Sequence, residues 1–236
     1  MLPLYQKLEA EKSNPGKLKP EMKEYQKEFL EFAIQTDVLR FGEFVLKSGR
    51  SSPFFFNAGL FNTGASLSRL GEFYADRLLD WGESFDVLFG PAYKGIPLVA
   101  SAAMALAART GRSIPFSFNR KETKDHGEGG ITVGAQLRGR VVIIDDVVTA
   151  GISVDRSIDI IEQAGARPIC VCVALDRLER SLDDEIAATR VIEQRHGIPV
   201  LSIADLNILV EYLAGDARHH MFLKAIKRYS RKYGAA

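Results

Sequence analysis

The sequence predicts an α/β fold: a central, mostly parallel sheet flanked by helices, with a small N-terminal α+β hood. Two observations carry this. From Ser66 onward, helical stretches alternate with short apolar runs bounded by Gly, Asp or Pro, the pattern of repeated strand-helix units around a parallel sheet. Three of those runs end in polar, glycine-bearing segments, and ligands on such sheets sit at the carboxyl ends of the strands.

Composition sets the bounds. The 236 residues, 46% hydrophobic and 26% charged, suit one large domain or one domain with a small appendage. Lys and Arg total 31 against 30 Asp and Glu, so a net charge of +1 gives no general pull toward nucleic acid or an anionic membrane. Any anion must be held by a local cluster. Cys170 and Cys172 lie two apart in "PICVCVALD" and read as core thiols on one face of a strand, since no CxxC or His partner accompanies them. The longest apolar stretch, Ile96 to Ala108, is too short for the roughly 18 residues of a membrane span. The N-terminus lacks the apolar core of a signal peptide. A cytoplasmic protein without nucleic-acid or membrane partners is expected.

The elements follow in order. Residues 1–21 contain "KSNPGKLKP", have little to bury, and read as a flexible extension. Residues 22–65 form the hood. There "YQKEFLEFAIQTDVL" spaces Phe29, Phe32, Ala33 and Leu39 at helical intervals, and "GEFVLKSGRSSPFFFNAG" gives two short strands around a Ser-Gly-Arg turn. Residues 66–236 form the core. The helix "SRLGEFYADRLLDWG" leads to the strand "FDVLFG", the helix "IPLVASAAMALAARTG", the strand "PFSFN" and the buried strand "RVVIIDD". The helix "SVDRSIDIIEQAG", the strand "PICVCVALD", an acidic helix near Asp183 and the strand "PVLSIAD" complete the alternation. A terminal helix, "HHMFLKAIKRYSRKYGAA", places Met221, Phe222, Ala225, Ile226 and Tyr229 on a packed face and its basic residues in solvent.

Chemistry gathers at three strand ends. "TAGIS" opens a helix, where unpaired backbone N–H groups and the positive helix end favour one phosphate; Gly151 permits close approach, and Thr149 and Ser153 add hydroxyls. It is neither a Walker A loop nor a GxGxxG turn. Asp145 and Asp146 precede it and point to opposite faces, so they suit hydroxyls of a sugar better than one shared ion, although a divalent ion that also bound diphosphate oxygens would relieve their repulsion. Capping of a turn is the plainer alternative. "RKETKDHGEGG" offers Arg120, Lys121, Lys124 and His126 in a glycine-ended segment, either a solvated loop or a mobile one that closes over a leaving diphosphate. "GPAYKGIP" sets Lys94 in a turn before a helix, a second place for an anion.

Together these residues resemble the type I phosphoribosyltransferases and, more narrowly, the orotate phosphoribosyltransferases. "VVIIDDVVTAGIS" is similar to a signature shared by the whole superfamily. The narrower likeness rests on "EFVLKSGRSSPFFFNAGLFNTG", "LFGPAYKGIPL", "FNRKETKDHGEGG" and "LDRLER", and runs from Met22 to the C-terminus. Residues 1–21 fall outside it.

The resemblance implies the type I phosphoribosyltransferase fold and a pentosyltransferase with Mg²⁺ as cofactor. The reaction moves ribose 5-phosphate from 5-phospho-α-D-ribose 1-diphosphate (PRPP) to N1 of orotate, giving orotidine 5'-monophosphate for pyrimidine synthesis. It implies that Asp145 and Asp146 hold the ribose hydroxyls and that Val147 and Val148 continue the same binding segment. Thr149, Ala150, Gly151, Ile152 and Ser153 would hold the 5'-phosphate. Tyr93 and Lys94 would face the diphosphate, with Lys47 reaching in from the hood. Arg120, Lys121, Lys124 and His126 would act from a loop at 120–130 that enters the neighbouring subunit's site, hence a homodimer. Orotate would lie against Phe55 and Phe56, near Thr149, with its carboxylate at Arg177. Plain core packing for the Phe residues, and an ion pair of Arg177 with Glu179, are the alternatives. Mg²⁺ would rest mainly on diphosphate and ribose oxygens near Asp145 or Asp146, with no direct protein ligand assigned. Lys124, Asp145 and Asp146 are the catalytic candidates for a dissociative displacement that inverts α to β. A salvage enzyme for another base, or a regulator that senses PRPP without turning it over, would share the central signature.

Overall fold

The computed structural model describes residues 22–46, 48–124, 130–148, 151–181 and 186–235, the side chains of 121–124 excepted. The hood comprises α1 (Glu24–Gln35), β1 (Leu39–Val45), β2 (Ser51–Phe56) and a 3-10 turn at Ala58–Leu60. The core follows as α2 (Gly64–Trp81), β3 (Val87–Gly90), α3 (Gly95–Thr110), β4 (Phe116–Lys124), β5 (Gly130–Gly134) and β6 (Arg140–Asp145). It continues through α4 (Ile152–Gln163), β7 (Arg167–Asp176), α5 (Ala188–His196), β8 (Val200–Asp205), α6 (Leu206–Gly215) and α7 (His220–Tyr233).

The sheet order is β5-β4-β3-β6-β7-β8. β4, β3, β6, β7 and β8 run parallel, and β5 lies antiparallel on the edge. Because β4, β3 and β6 are neighbours, the three chemically unusual strand ends lie side by side on one rim. The β-rich runs are apolar throughout because both faces are covered. Val87, Phe89, Val141, Ile143, Val171 and Val173 pack with Val154, Ile158 and Ile161 of α4 on one face. Leu88, Val142, Ile144, Cys170, Cys172 and Ala174 pack with α2 and α3 on the other. Both cysteines are free and buried.

The hood shares that second core: Phe29, Leu30 and Phe54 join the cluster that holds Leu70, Phe73 and Tyr74 of α2. Its hairpin is antiparallel. α7 packs against it, with Phe222 stacked on Phe41 at 4.8 Å and Tyr229 edge-on to Phe54 at 5.9 Å.

Several expectations need correction. Leu39 does not belong to the first helix: Thr36 Oγ1 donates back to the Phe32 carbonyl at 2.7 Å, Asp37 turns left-handed at φ 56°, and Leu39 opens β1. The segment after "PFSFN" is not a loop from Arg120 onward, because β4 runs to Lys124 and pairs with β5, an edge strand the sequence reading did not assign. Residues 182–185 lie outside the described residues, and the helix of that region is α5, beginning at Ala188. α6, also unassigned, is capped by Asp205, whose side chain accepts from Ile208 N–H. On α7, Met221 is 76% exposed and Leu223, Ile226 and Tyr229 are buried, so the packed face is rotated from the one expected.

Candidate active site

The alternation of β6 decides where its two terminal acids go. Asp145 shares the face of Val141 and Ile143, toward α4, and its Oδ2 accepts from Ser153 Oγ at 3.2 Å while Oδ1 accepts from the Asp146 amide at 2.9 Å. Asp146 faces the other way, and its Oδ2 meets Lys94 Nζ at 2.6 Å. Both acids are only 7% exposed. Burial, reinforced by the charge of Asp146, pushes the Asp145 carboxyl up to about 7. The opposition of the two carboxylates agrees with the sequence reading, and their repulsion is met by Lys94 on one side and hydrogen-bond donors on the other.

The backbone between them is pinned. Tyr74, fully buried in α2, donates its hydroxyl to the Asp145 carbonyl at 2.7 Å. The Asp146 carbonyl accepts from Ala174 N–H of β7 at 2.9 Å. The chain then leaves toward Gly151, the N-cap of α4 at φ 75°, a left-handed conformation that favours glycine. Val147 and Val148 are half-buried, Ile152 is 74% exposed, and Ser153 is exposed at the first turn of α4. The expected phosphate contacts Thr149 and Ala150 lie outside the described residues.

Beside this rim, the turn between β3 and α3 carries Tyr93 and Lys94 just after a cis peptide bond at Ala92–Tyr93. Tyr93 is 65% exposed. A Cβ on Gly90 would lie 2.2 Å from the Gly95 carbonyl oxygen, so the absence of side chains there lets α3 begin directly against the strand end. This close packing delivers Lys94 to Asp146. Asn119, in the middle of β4, accepts from the Ala92 amide through Oδ1 at 2.8 Å. Arg120 follows it in β4; the side chains of Lys121 and Lys124 and the whole of His126 and Lys47 are outside the described residues.

The hood separates residues that were expected to act together. Phe55 and Phe56 are adjacent on β2 and so point to opposite faces. Phe55 stacks on Phe44 at 5.5 Å, whereas Phe56 lies 6.3 Å from Phe29 on the core side. Arg177, just past the end of β7, reaches back to the hood: its Nε donates to Glu179 at 2.6 Å, and Nη2 to Ser52 Oγ at 2.9 Å and Tyr229 at 3.4 Å. Its guanidinium lies 4.0 Å from the Phe54 ring centroid. The Glu179 pairing named as an alternative is therefore present. Nη1 has no protein partner among the described residues.

Residues 59–202 match the model of the phosphoribosyl transferase domain. Orotate phosphoribosyltransferase of Methylococcus capsulatus is 57% identical over 215 residues, covering 91% of this chain and 100% of its own. That of Pseudomonas aeruginosa strain PAO1 is 55% identical over 213 residues, covering 90% and 100%. The chain belongs to the orotate phosphoribosyltransferase family. The crystal structure of orotate phosphoribosyltransferase from Francisella tularensis superposes with a TM-score of 0.80 at 42% identity, covering 88% of this chain and 100% of that one.

In this phosphoribosyltransferase, no group of three or more His, Cys, Asp or Glu side chains that could hold a metal occurs among the described residues. Asp145 and Asp146 face opposite ways and do not form a chelate by themselves. They fit a hard cation whose other oxygen donors come from a diphosphate and a sugar. No helix among the described residues is long and apolar enough to cross a membrane. Two positions escaped the sequence reading. Tyr74 and Asn119 act through the backbone of other segments, and their neighbours in sequence, an amphipathic helix and a short aromatic strand, give no sign of it.

Proposed function

We propose that this member of the orotate phosphoribosyltransferase family transfers ribose 5-phosphate from PRPP to N1 of orotate at the rim formed by β3, β4 and β6. The observation that carries the reading is the convergence of Asp145, Asp146, Lys94 and the amino end of α4 at adjacent strand ends.

The amide end of α4, with Gly151 and Ser153, holds the 5'-phosphate, to which Thr149 and Ala150 also contribute. Asp145 and Asp146 accept hydrogen bonds from the ribose hydroxyls. Tyr93, Lys94 and Arg120 face the diphosphate, with Lys47, Lys121 and Lys124 adding positive charge and His126 a ring N–H donor. As the anomeric bond stretches, negative charge grows on the leaving diphosphate, so these cations bind the transition state more tightly than the ground state. Mg²⁺, when bound near Asp145 or Asp146, neutralises diphosphate charge. Orotate rests against the hood beside β2, and Nη1 of Arg177 takes its carboxylate while Glu179, Ser52 and Tyr229 fix the rest of the fork.

The enzyme acts as a homodimer whose segment at 120–130 enters the partner's site. In support, α3 and the turn before it leave Tyr93, Pro97, Met104 and Ala108 exposed along one side, with Met104 at 72%, an apolar stripe suited to a second copy. A cytoplasmic location agrees with the two free cysteines.

The test is spectrophotometric. Purified protein with PRPP and Mg²⁺ should consume orotate and release orotidine 5'-monophosphate. Consumption of a purine or of uracil with orotate untouched would overturn the choice of base, and binding of PRPP without turnover would overturn the enzyme.

A further inference from the structure

We propose that Asn119 is a positioning residue for diphosphate binding, joining the Tyr93–Lys94 turn to the base of the β4–β5 hairpin through the two ends of its buried amide. This deepens the functional reading above and rests on it.

The register of the sheet shows why a side chain is needed at this place. β3 and β4 pair through Gly90 and Phe118, and there the regular ladder stops. Beyond it β3 turns away through Pro91 into α3, so the Ala92 amide has left the ladder. The Asn119 Oδ1 supplies its acceptor at 2.8 Å. On the other side, Asn119 pairs with Thr132, but the next registered pair is Lys124 with Gly130, so the β4 backbone bulges between them. Arg120 is the first residue of the bulge, and its carbonyl accepts from Asn119 Nδ2 at 3.2 Å. One amide group therefore closes two breaks at once, from a residue only 5% exposed.

The chemistry of the amide fits the task. Asn is the shortest neutral side chain with an acceptor and a donor at opposite ends of a planar group. A carboxylate has no donor for the Arg120 carbonyl, and a hydroxyl does not span both partners. On one side of the bridge stand Tyr93 and Lys94; on the other stands Arg120, at the root of the segment bearing Lys121 and Lys124. All belong to the same proposed task of gripping diphosphate. Fixing these two backbones relative to one another sets the Tyr93–Lys94 turn in its own site and the root from which the following segment reaches the partner's site, so in the homodimer each diphosphate depends on the bridges of both chains, and misplacement by about 1 Å can cost on the order of 10²-fold in rate.

The test uses the full-length chain and two variants. Asn119→Leu removes both bonds at nearly the same volume, and Asn119→Ser, smaller and still polar, carries the test should the leucine variant not fold. PRPP binding is read first without orotate, as the rise in thermal midpoint that PRPP with Mg²⁺ produces, and steady-state constants for each substrate are read second. Wild type should be stabilised by PRPP, whereas the variants should need roughly tenfold more PRPP for the same rise. Their KM for PRPP should rise by a similar factor, with KM for orotate within about threefold of wild type, because only the diphosphate ligands have shifted. Variants that bind PRPP as wild type does, or that lose both substrates equally, overturn the positioning role. Failure of wild type itself to respond to PRPP overturns instead the functional reading on which the proposal rests.

Discussion

Lys94 Nζ lies 2.6 Å from Asp146 Oδ2, joining a lysine side chain that is 58% exposed to a carboxylate that is 9% exposed. The two groups proposed to grip different parts of the substrate, diphosphate and ribose, neutralise one another in its absence. Binding must exchange this pair for contacts with PRPP.

Removing the lysine therefore acts twice, on the anion and on the acid left behind. Lys94→Ala should lower kcat/KM for PRPP by roughly 10²–10³, the scale of losing one preorganised cationic or oxyanion-type donor. In a double-mutant cycle with Asp146→Asn, measured as PRPP affinity, the two changes should be non-additive by about 0.5–3 kcal/mol, as for directly touching groups. Strict additivity would show that the pair does not operate in binding.

The acid on the opposite face makes binding depend on pH. Burial raises the Asp145 carboxyl from its ordinary 3.8 to about 7, with the charge of Asp146 adding to the effect. Between roughly pH 4 and 7 the folded chain holds a proton that the unfolded chain has released, so this group subtracts stability as pH rises through that window. As an acceptor for a ribose hydroxyl it works best ionised. PRPP affinity should strengthen as pH rises through about 7, and Asp145→Asn should abolish that step while raising the denaturation midpoint at about pH 8. Titration of PRPP itself is common to both proteins and cancels in the comparison. An unchanged pH profile in the variant would remove Asp145 from binding.

Loop action across the dimer is tested by mixing. Lys124→Ala should reduce turnover by roughly 10²–10³, as for loss of one transition-state donor. Mixed with an inactive Asp146→Asn protein under conditions of subunit exchange, it should regain activity, because one hybrid site would have both an intact loop and an intact rim. A mixture as inactive as its components would place loop and rim in the same subunit.

Tyr74 supplies a stability test at the same rim. Tyr74→Phe removes only the donor to the buried Asp145 carbonyl. Leaving that acceptor unpaired should cost about 1–3 kcal/mol in urea unfolding, and slow turnover modestly by loosening the strand end. Wild-type stability would mean another donor satisfies the carbonyl.

Much of this was legible in the chain alone. Continuous β-branched runs between helices called for a two-sided parallel sheet, and adjacent strand residues had to send Asp145 and Asp146 to opposite faces. The residue types at the rim, two acids, a lysine, a glycine and hydroxyls before a helix, named a phosphorylated sugar as ligand. Local periodicity could not show that "RKETK" is strand, since its polar residues lack apolar alternation and its partner β5 lies on an exposed edge. Nor could it give Tyr74 or Arg177 their partners, which lie 71 residues away at Asp145 and 125 residues away at Ser52.

The sequence by itself determined the alternation of elements, the face each strand residue presents and the kinds of group at each strand end, because these depend on neighbours within a turn or a pleat. Only the tertiary structure decided that Lys94 meets Asp146, that Asn119 joins the turn after β3 to the bulge in β4, and that Arg177 turns back toward the hood. Those contacts depend on which strands lie side by side, and strand order is set by the burial of both sheet faces at once, a property of the whole chain and of no single segment.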